Sequence, residues 1–95
     1  MITLKINGRY SFAVERYDKR LRLIVLDGIN ELVCRKVTKK ELAAFLNNDE
    51  DHLFKGRLQL GKVGNDIVVN VKGNELGLIN SQALLQSSNQ VLAVA

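Results

Sequence analysis

RLQLGKVGNDIVVNVKGNEL, residues 57–76, decides the fold, because residues 21–42, LRLIVLDGINELVCRKVTKKEL, run nearly the same way. Each stretch alternates basic or amide residues with apolar ones and turns at Gly beside Asp or Asn. Each then resumes with a β-branched run and arrives at Glu-Leu. A period of two marks a half-buried strand, so each stretch predicts an antiparallel hairpin leading into a helix start. Either the chain is duplicated, or two independent hairpins obey one alternation rule.

Toward the N-terminus the same period continues. Ile2, Leu4 and Ile6 alternate with Thr3, Lys5 and Asn7, and Asn7-Gly8 is a strong hairpin signal. Tyr10, Phe12 and Val14 mark a second strand, and Tyr17-Asp18-Lys19 a turn. Leu21, Leu23 and Val25 mark a third strand, Asp27-Gly28 the next turn, and ELVCRKV a fourth strand. Thr38 and Glu41 then fit a capping box, and Leu42, Phe45 and Leu46 give the helix KKELAAFLNN one apolar stripe. After a loop NDEDH comes the second hairpin, turning at Val63-Gly64-Asn65. Near the C-terminus Asn74 is a candidate cap for a helix reaching Leu78, although Gly77 costs about 1 kcal/mol inside a helix. Ser81 is the alternative cap, opening a helix over QALLQSSNQ. The expected element is a short or broken helix with a mobile end.

The expected fold is α+β, a twisted antiparallel sheet of order β-β-β-β-α-β-β-α with one or two short helices packed on one face. Residues 1–95 make a single domain: a basic meander and helix over 1–46, a second hairpin over 53–73, and an uncharged segment over 76–95. A chain of this length buries a real but thin core. Its 46% apolar and 25% charged residues exclude a disordered tail. The one cysteine, Cys34, rules out an internal disulfide and fits a reducing compartment. MITLKINGRYSF does not read as a signal peptide, and no apolar run approaches the roughly 20 residues of a membrane helix. The expectation is a cytoplasmic protein with no membrane partner.

Charge is unevenly placed. Residues 1–46 carry ten Lys or Arg against five Asp or Glu, whereas residues 47–95 carry four against five. From Leu76 to Ala95 no side chain is charged.

Catalytic chemistry finds little support. The only histidine, His52, lies in a polar loop, and Cys34 lies within an expected strand, so a Cys–His pair needs the fold to join them. Asp49, Glu50, Asp51 and His52 offer clustered ligands, but consecutive loop residues rarely converge on one ion and match no EF-hand spacing. GKVGND, residues 61–66, resembles a phosphate loop only superficially, since a strand and not a helix follows it. The expectation is a non-enzymatic chain with no catalytic residues, no metal and no cofactor.

The basic strands carry the functional reading. With Leu21, Leu23 and Val25 facing a core, Arg20 and Arg22 face outward, as does Lys5 on the first strand. By the same parity Tyr17 faces outward, and so do Arg57, Gln59, Asn70 and Lys72. Cations track phosphates, amides bond base edges, and aromatic planes stack on bases at about 1–3 kcal/mol each. Lys5, Tyr17, Arg20, Arg22, Arg35, Arg57 and Lys72 are therefore the candidate contacts to single-stranded DNA or RNA. Polar outer faces are also what any exposed sheet needs, and edge lysines discourage aggregation.

GRYSFAVERYDKRLRLIVLDGINELVCRKVTKKELAAFLNN, residues 8–48, resembles a PUR repeat in layout, and more loosely the whirly proteins. The correspondence is an aromatic-rich strand over 9–14, a basic strand over 20–25, a strand over 31–37 and a helix over 39–46. The resemblance implies a curved four-stranded sheet followed by a helix, holding single-stranded DNA or RNA and often dimeric. After Asp51 the chain departs from that layout, with one hairpin in place of four strands.

The uncharged C-terminal segment suggests a second surface. Leu84, Leu85, Val91 and Leu92 either complete the chain's own core or form an oligomer interface, in which case the protein is a homodimer. The alternative function is a small protein–protein interaction or accessory module of phage, plasmid or mobile-element type. Its basic face would meet an acidic partner protein and no nucleic acid.

Overall fold

A computed structural model of the chain describes residues 1–47 and 52–93. The strands are β1 (Ile2–Lys5), β2 (Tyr10–Tyr17), β3 (Arg20–Asp27) and β4 (Asn30–Val37), followed by helix α1 (Lys39–Asn47). Then come β5 (His52–Leu53), β6 (Leu58–Val63), β7 (Asp66–Val71), β8 (Asn74–Asn80) and helix α2 (Ser81–Ala93). Each group of four strands is a sequential antiparallel meander, so the chain is α+β and consists of two units, each a four-stranded sheet followed by a helix.

The second unit corrects the expected single hairpin over 53–73 and the helix capped by Asn74. The segment NELGLIN is strand β8, because Lys72 (φ 54°) and Gly73 (φ 83°) both adopt positive φ and turn the chain straight back on β7. Two positive-φ residues in succession are the signature of a tight hairpin. Lysine rarely adopts that conformation, which hides the turn in the sequence. The Glu75-Leu76 that echoes Glu41-Leu42 therefore lies in a strand, and residues 21–42 do not correspond structurally to 57–76. The corresponding elements are β1–α1 and β5–α2. Both units bulge at the same place, between Val25 and Leu26 in one and between Val69 and Asn70 in the other, just before the third turn of each.

Local chemistry explains the remaining turns and caps. At the β1–β2 turn the Asn7 side-chain oxygen accepts hydrogen bonds from the Arg9 and Tyr10 N–H groups at 2.8 and 2.9 Å. Gly28 (φ 61°) and Gly64 (φ 61°) occupy the positive-φ positions that turns require. The capping box forms as expected: the Glu41 N–H donates to Thr38 Oγ1 at 3.1 Å, and the Thr38 N–H donates to the Glu41 carboxylate at 3.2 Å. Helix α2 is one unbroken helix capped by Asn80, whose side-chain oxygen accepts from the Ala83 N–H at 3.0 Å. Ser81, the expected alternative cap, instead donates its hydroxyl to the Asn65 carbonyl at 2.8 Å, tying the helix start to the β6–β7 turn. Ser87 and Ser88 are buried, and their hydroxyls are satisfied by the carbonyls of Ala83 and Leu85. The end of the chain, where a mobile end is expected, lies outside the described residues at 94–95.

The two units share one core. Phe12, Val14, Leu21, Leu23 and Val25 of the first sheet cluster with Leu58, Leu60, Ile67 and Val69 of the second, and with Leu42, Phe45 and Leu84 of the helices. The helices cross over: α2 packs on β1 and β2, and α1 lies against β5 and α2. Leu84 and Val91 are therefore buried in the chain's own core, Leu92 packs against it, and Leu85 is half-buried, so that Leu84, Val91 and Leu92 take the first of the two alternatives, completion of the core. Further ties join the units. The Asn7 side-chain N–H donates to the Leu76 carbonyl at 2.9 Å, and the Lys62 ammonium donates to the Phe45 carbonyl near the end of α1 at 3.0 Å. At Gly77 (φ 152°) the approach is so close that a Cβ would lie 2.7 Å from Ile6 Cγ2. Among the described residues no helix is long and apolar enough to cross a membrane.

Candidate nucleic-acid interface

The outer face of the first sheet follows from its register. Rows across β2, β3 and β4 place Tyr17 opposite Arg20, Glu15 opposite Arg22 and then Lys36, and Ala13 opposite Ile24 and then Cys34. The candidate cations on this face do not behave alike.

Arg22 is engaged within the sheet. Its guanidinium contacts Glu15 at 2.7 Å and Glu31 at 2.9 Å, and donates to Cys34 Sγ at 3.6 Å. The bond to Glu15 and the contact with Cys34 raise its pKa further above the usual arginine value. Cys34 and Glu31 stand opposite Ile24 and Leu26 of the same strand as Arg22, so the arginine lies across Ile24. That cover leaves Ile24 only 3% exposed although it points away from the core.

Tyr17, by contrast, is 47% exposed. The Lys36 ammonium sits 4.1 Å from its ring centroid, a contact of quadrupole with cation. Tyr17, Lys19, Arg20 and Lys36, with Asp18, line a shallow hollow of about 310 Å3. Lys39 and Lys40, the exposed first residues of α1, leave β4 at this same end. Glu41 partly balances the cluster: its carboxyl is held below the usual range, first by the Thr38 hydroxyl and backbone bonds and more weakly by Arg20. Lys5 lies on the same outer face but in the row of Ser11 and Leu26, toward the opposite end of the strands.

Arg35 departs from the outward set. Its cross-strand partner is Leu23, a core residue, so it has inward parity on an edge strand. It leaves the core sideways, stacking its guanidinium 4.7 Å from the Phe54 ring centroid and donating to the Lys55 carbonyl at 3.2 Å. The contact fixes the β5–β6 connection against β4. Arg57 lies across the seam, lining a hollow of about 380 Å3 with Leu58 and residues 31–35. Its carbonyl accepts from the Lys72 N–H at 2.7 Å. Lys72 lines a further hollow of about 390 Å3 with Tyr10, Leu32 and Glu75.

The candidates thus form no single sheet face. Tyr17 and Arg20 meet at one end of the first sheet; Arg35, Arg57 and Lys72 follow the seam between the sheets; Arg22 is neutralised and Lys5 stands apart. Edge strand β4 links the first two groups, contributing Leu32 to one hollow, residues 31–35 to the next and Lys36 to the last. Sequence reasoning missed Lys36. Val37, a buried strand-end residue, carries the parity that would have found it. The bulge between Val25 and Leu26 obscures that parity when it is counted from the turn.

The residues weighed for catalysis lie on different elements. Cys34 faces Arg22 on the outer face of the first sheet, and His52 pairs with Gly61 on the edge of the second. The acidic loop residues Asp49, Glu50 and Asp51 lie outside the described residues. The glycines of GKVGND fall in strand β6 and its turn. No protein-family model, curated protein or solved structure matches the chain.

Proposed function

We propose that the chain is a non-enzymatic binder of single-stranded DNA or RNA that holds the strand along edge strand β4. The observation that carries this reading is the succession of three shallow hollows along β4, each opening beside a cation. Lys72 stands at the first, Arg35 and Arg57 at the second, and Arg20 with Lys36 at the third. A base stacking on Tyr17 displaces the Lys36 ammonium from the ring, and the freed ammonium meets the neighbouring phosphate. Arg20 takes a phosphate beside it, and Arg57 and Lys72 continue the track across the seam. Arg22 acts as a pillar under the surface and takes no phosphate, because Glu15 and Glu31 already neutralise it. Single strands are preferred because an exposed ring needs an unstacked base, which a duplex does not offer.

Fluorescence anisotropy with labelled oligonucleotides across a salt series tests this reading. Four or five phosphate contacts predict a slope of roughly −3 in log affinity against log salt, with duplex of equal length binding more weakly. Tyr17→Ala should weaken binding by about 1–3 kcal/mol. Absence of binding at low salt, or equal affinity for duplex and single strand, would overturn the proposal.

A further inference from the structure

Of the chain's five aromatic residues, Phe12 and Phe45 are fully buried in the core. Each of the other three has a cation over its ring. Arg9 stands 5.0 Å from the ring centroid of Tyr10, Arg35 4.7 Å from that of Phe54 and Lys36 4.1 Å from that of Tyr17. One planar member of each pair lines one of the three hollows along β4: the Tyr10 ring the first, the Arg35 guanidinium the second and the Tyr17 ring the third. Two of the stacks are anchored. Asp27 holds Arg9 at 2.9 Å, and the Lys55 carbonyl holds Arg35 at 3.2 Å. Phe54 behind Arg35 adopts φ 70°, which a bulky residue takes only at a cost in backbone energy.

We infer that these planes are three base-stacking subsites, and that the track takes a five-nucleotide single strand. Its central base stacks on Arg35 and its two end bases on Tyr10 and Tyr17. The inference rests on the nucleic-acid reading of β4 and adds Tyr10, Phe54 and Arg9 to it. Three observations carry it. First, each hollow holds a carboxylate, Glu75 in the first, Glu31 in the second and Asp18 in the third. A phosphate is repelled from such a hollow and stays on the cations, whereas an uncharged base enters and meets a plane of ring or guanidinium. Second, the register sets the spacing. Arg35 pairs with Leu23 and through it with Val14, four residues from Tyr10 and three from Tyr17. At about 3.3 Å per residue the planes stand roughly 13 and 10 Å apart along the strands. Stacked neighbours stand only about 3.4 Å apart, so each interval takes two steps of an unstacked strand and every second base reaches a plane. Third, Tyr10 shares the inward parity of Phe12 and Val14, and Tyr17 the outward parity of Ala13 and Glu15. The ligand therefore passes over the edge at β4 from one side of the sheet to the other, a path that suits a single strand.

Competition anisotropy with oligothymidylates of three to eight nucleotides at low salt tests the inference. Affinity should rise at least tenfold from three to five nucleotides, and by no more than about fourfold from five to eight, the gain of added registers. In the five-nucleotide strand an abasic site at position three should cost at least fivefold, and one at position two less than twofold. Arg35→Lys keeps the charge and removes the plane, and Tyr10→Leu keeps the apolar bulk and removes the ring; each should cost at least fivefold. The abasic series uses the unaltered chain, so it decides the matter even where a substitution disturbs the fold. Equal losses at positions two and three, or full affinity for a strand with five abasic sites, would overturn the inference and leave a track that holds phosphates alone. Undiminished binding by both variants would overturn it equally. Binding of no oligonucleotide at low salt would remove the nucleic-acid reading itself, and the inference with it.

Discussion

The two sheets share a scaffold and differ in how each treats its outward apolar row. In the first, Arg22 stretches between Glu15 and Glu31 and seals Ile24, so the face becomes a charged, self-satisfied surface with Arg20 and Lys36 at one end and Lys5 toward the other. In the second, the bulge and third turn place Asp66 where that arginine stands, and in the row His52, Gly61, Val68, Leu78 the Val68 side chain stays half-buried and Leu78 exposed. The inward faces differ at one decisive place as well. Val25 pairs with Val33, but Val69 pairs with Gly77, where the β1–β2 turn presses in. A common fold therefore leaves surface chemistry free, and one long side chain decides whether a sheet face is closed or available.

The largest effect is expected from breaking the inward difference. Gly77→Val would restore the residue type of the first unit, but its Cβ meets Ile6 and its φ of 152° strains any side chain. A loss of about 2–4 kcal/mol in chemical denaturation is expected, and a change under 0.5 kcal/mol would contradict the packing described. Next comes the seal of the first sheet. Arg22→Ala uncovers Ile24 and strands two carboxylates, so the thermal midpoint should fall by several degrees. Arg22→Met, which keeps the apolar stem, should recover part of the fall. A smaller effect compares the helix caps: Thr38→Ala and Asn80→Ala should each cost about 1 kcal/mol, equal within error if the two units are equally integral to one cooperative fold.

The smallest effect concerns pH. Asp27 is held below the usual carboxylate range chiefly by its hydrogen bond from Arg9, and Glu41 by Thr38. A depressed carboxyl pKa contributes stability above the unfolded value, and that contribution disappears as pH falls through the folded one. Stability should therefore be flat near neutrality and decline below about pH 4. Asp27→Asn should reduce that decline, as read by acid titration of the circular dichroism signal.

Much of the first unit was legible in sequence because its signals are local. Alternation fixed β2 and β3, Gly28 marked a turn, and Thr38 with Glu41 announced α1. The second unit hid for physical reasons. Among the described residues strand β5 pairs over His52 and Leu53 alone, too short for any period to show. Strand β8 contains Gly77 and follows a lysine at positive φ, both of which read against a strand. In the candidate site, Tyr17 and Arg20 followed from parity, whereas the neutralisation of Arg22 depends on which residues of β2 and β4 stand beside it. That is a matter of register, and no single strand carries it.

The central claim is that of the two equivalent outer surfaces only the first meets nucleic acid, and matched substitutions test it most directly. Lys36 and Asn80 stand at equivalent positions, and Tyr17 and Val63 each close the second turn of their unit. Anisotropy with a labelled single-stranded oligonucleotide should be measured at nanomolar protein. Tyr17→Ala with Lys36→Asn should lose at least tenfold in affinity, while Val63→Ala with Asn80→Ala should stay within twofold of the unaltered chain. Equal losses in both double variants, or no loss in the first, would contradict the account.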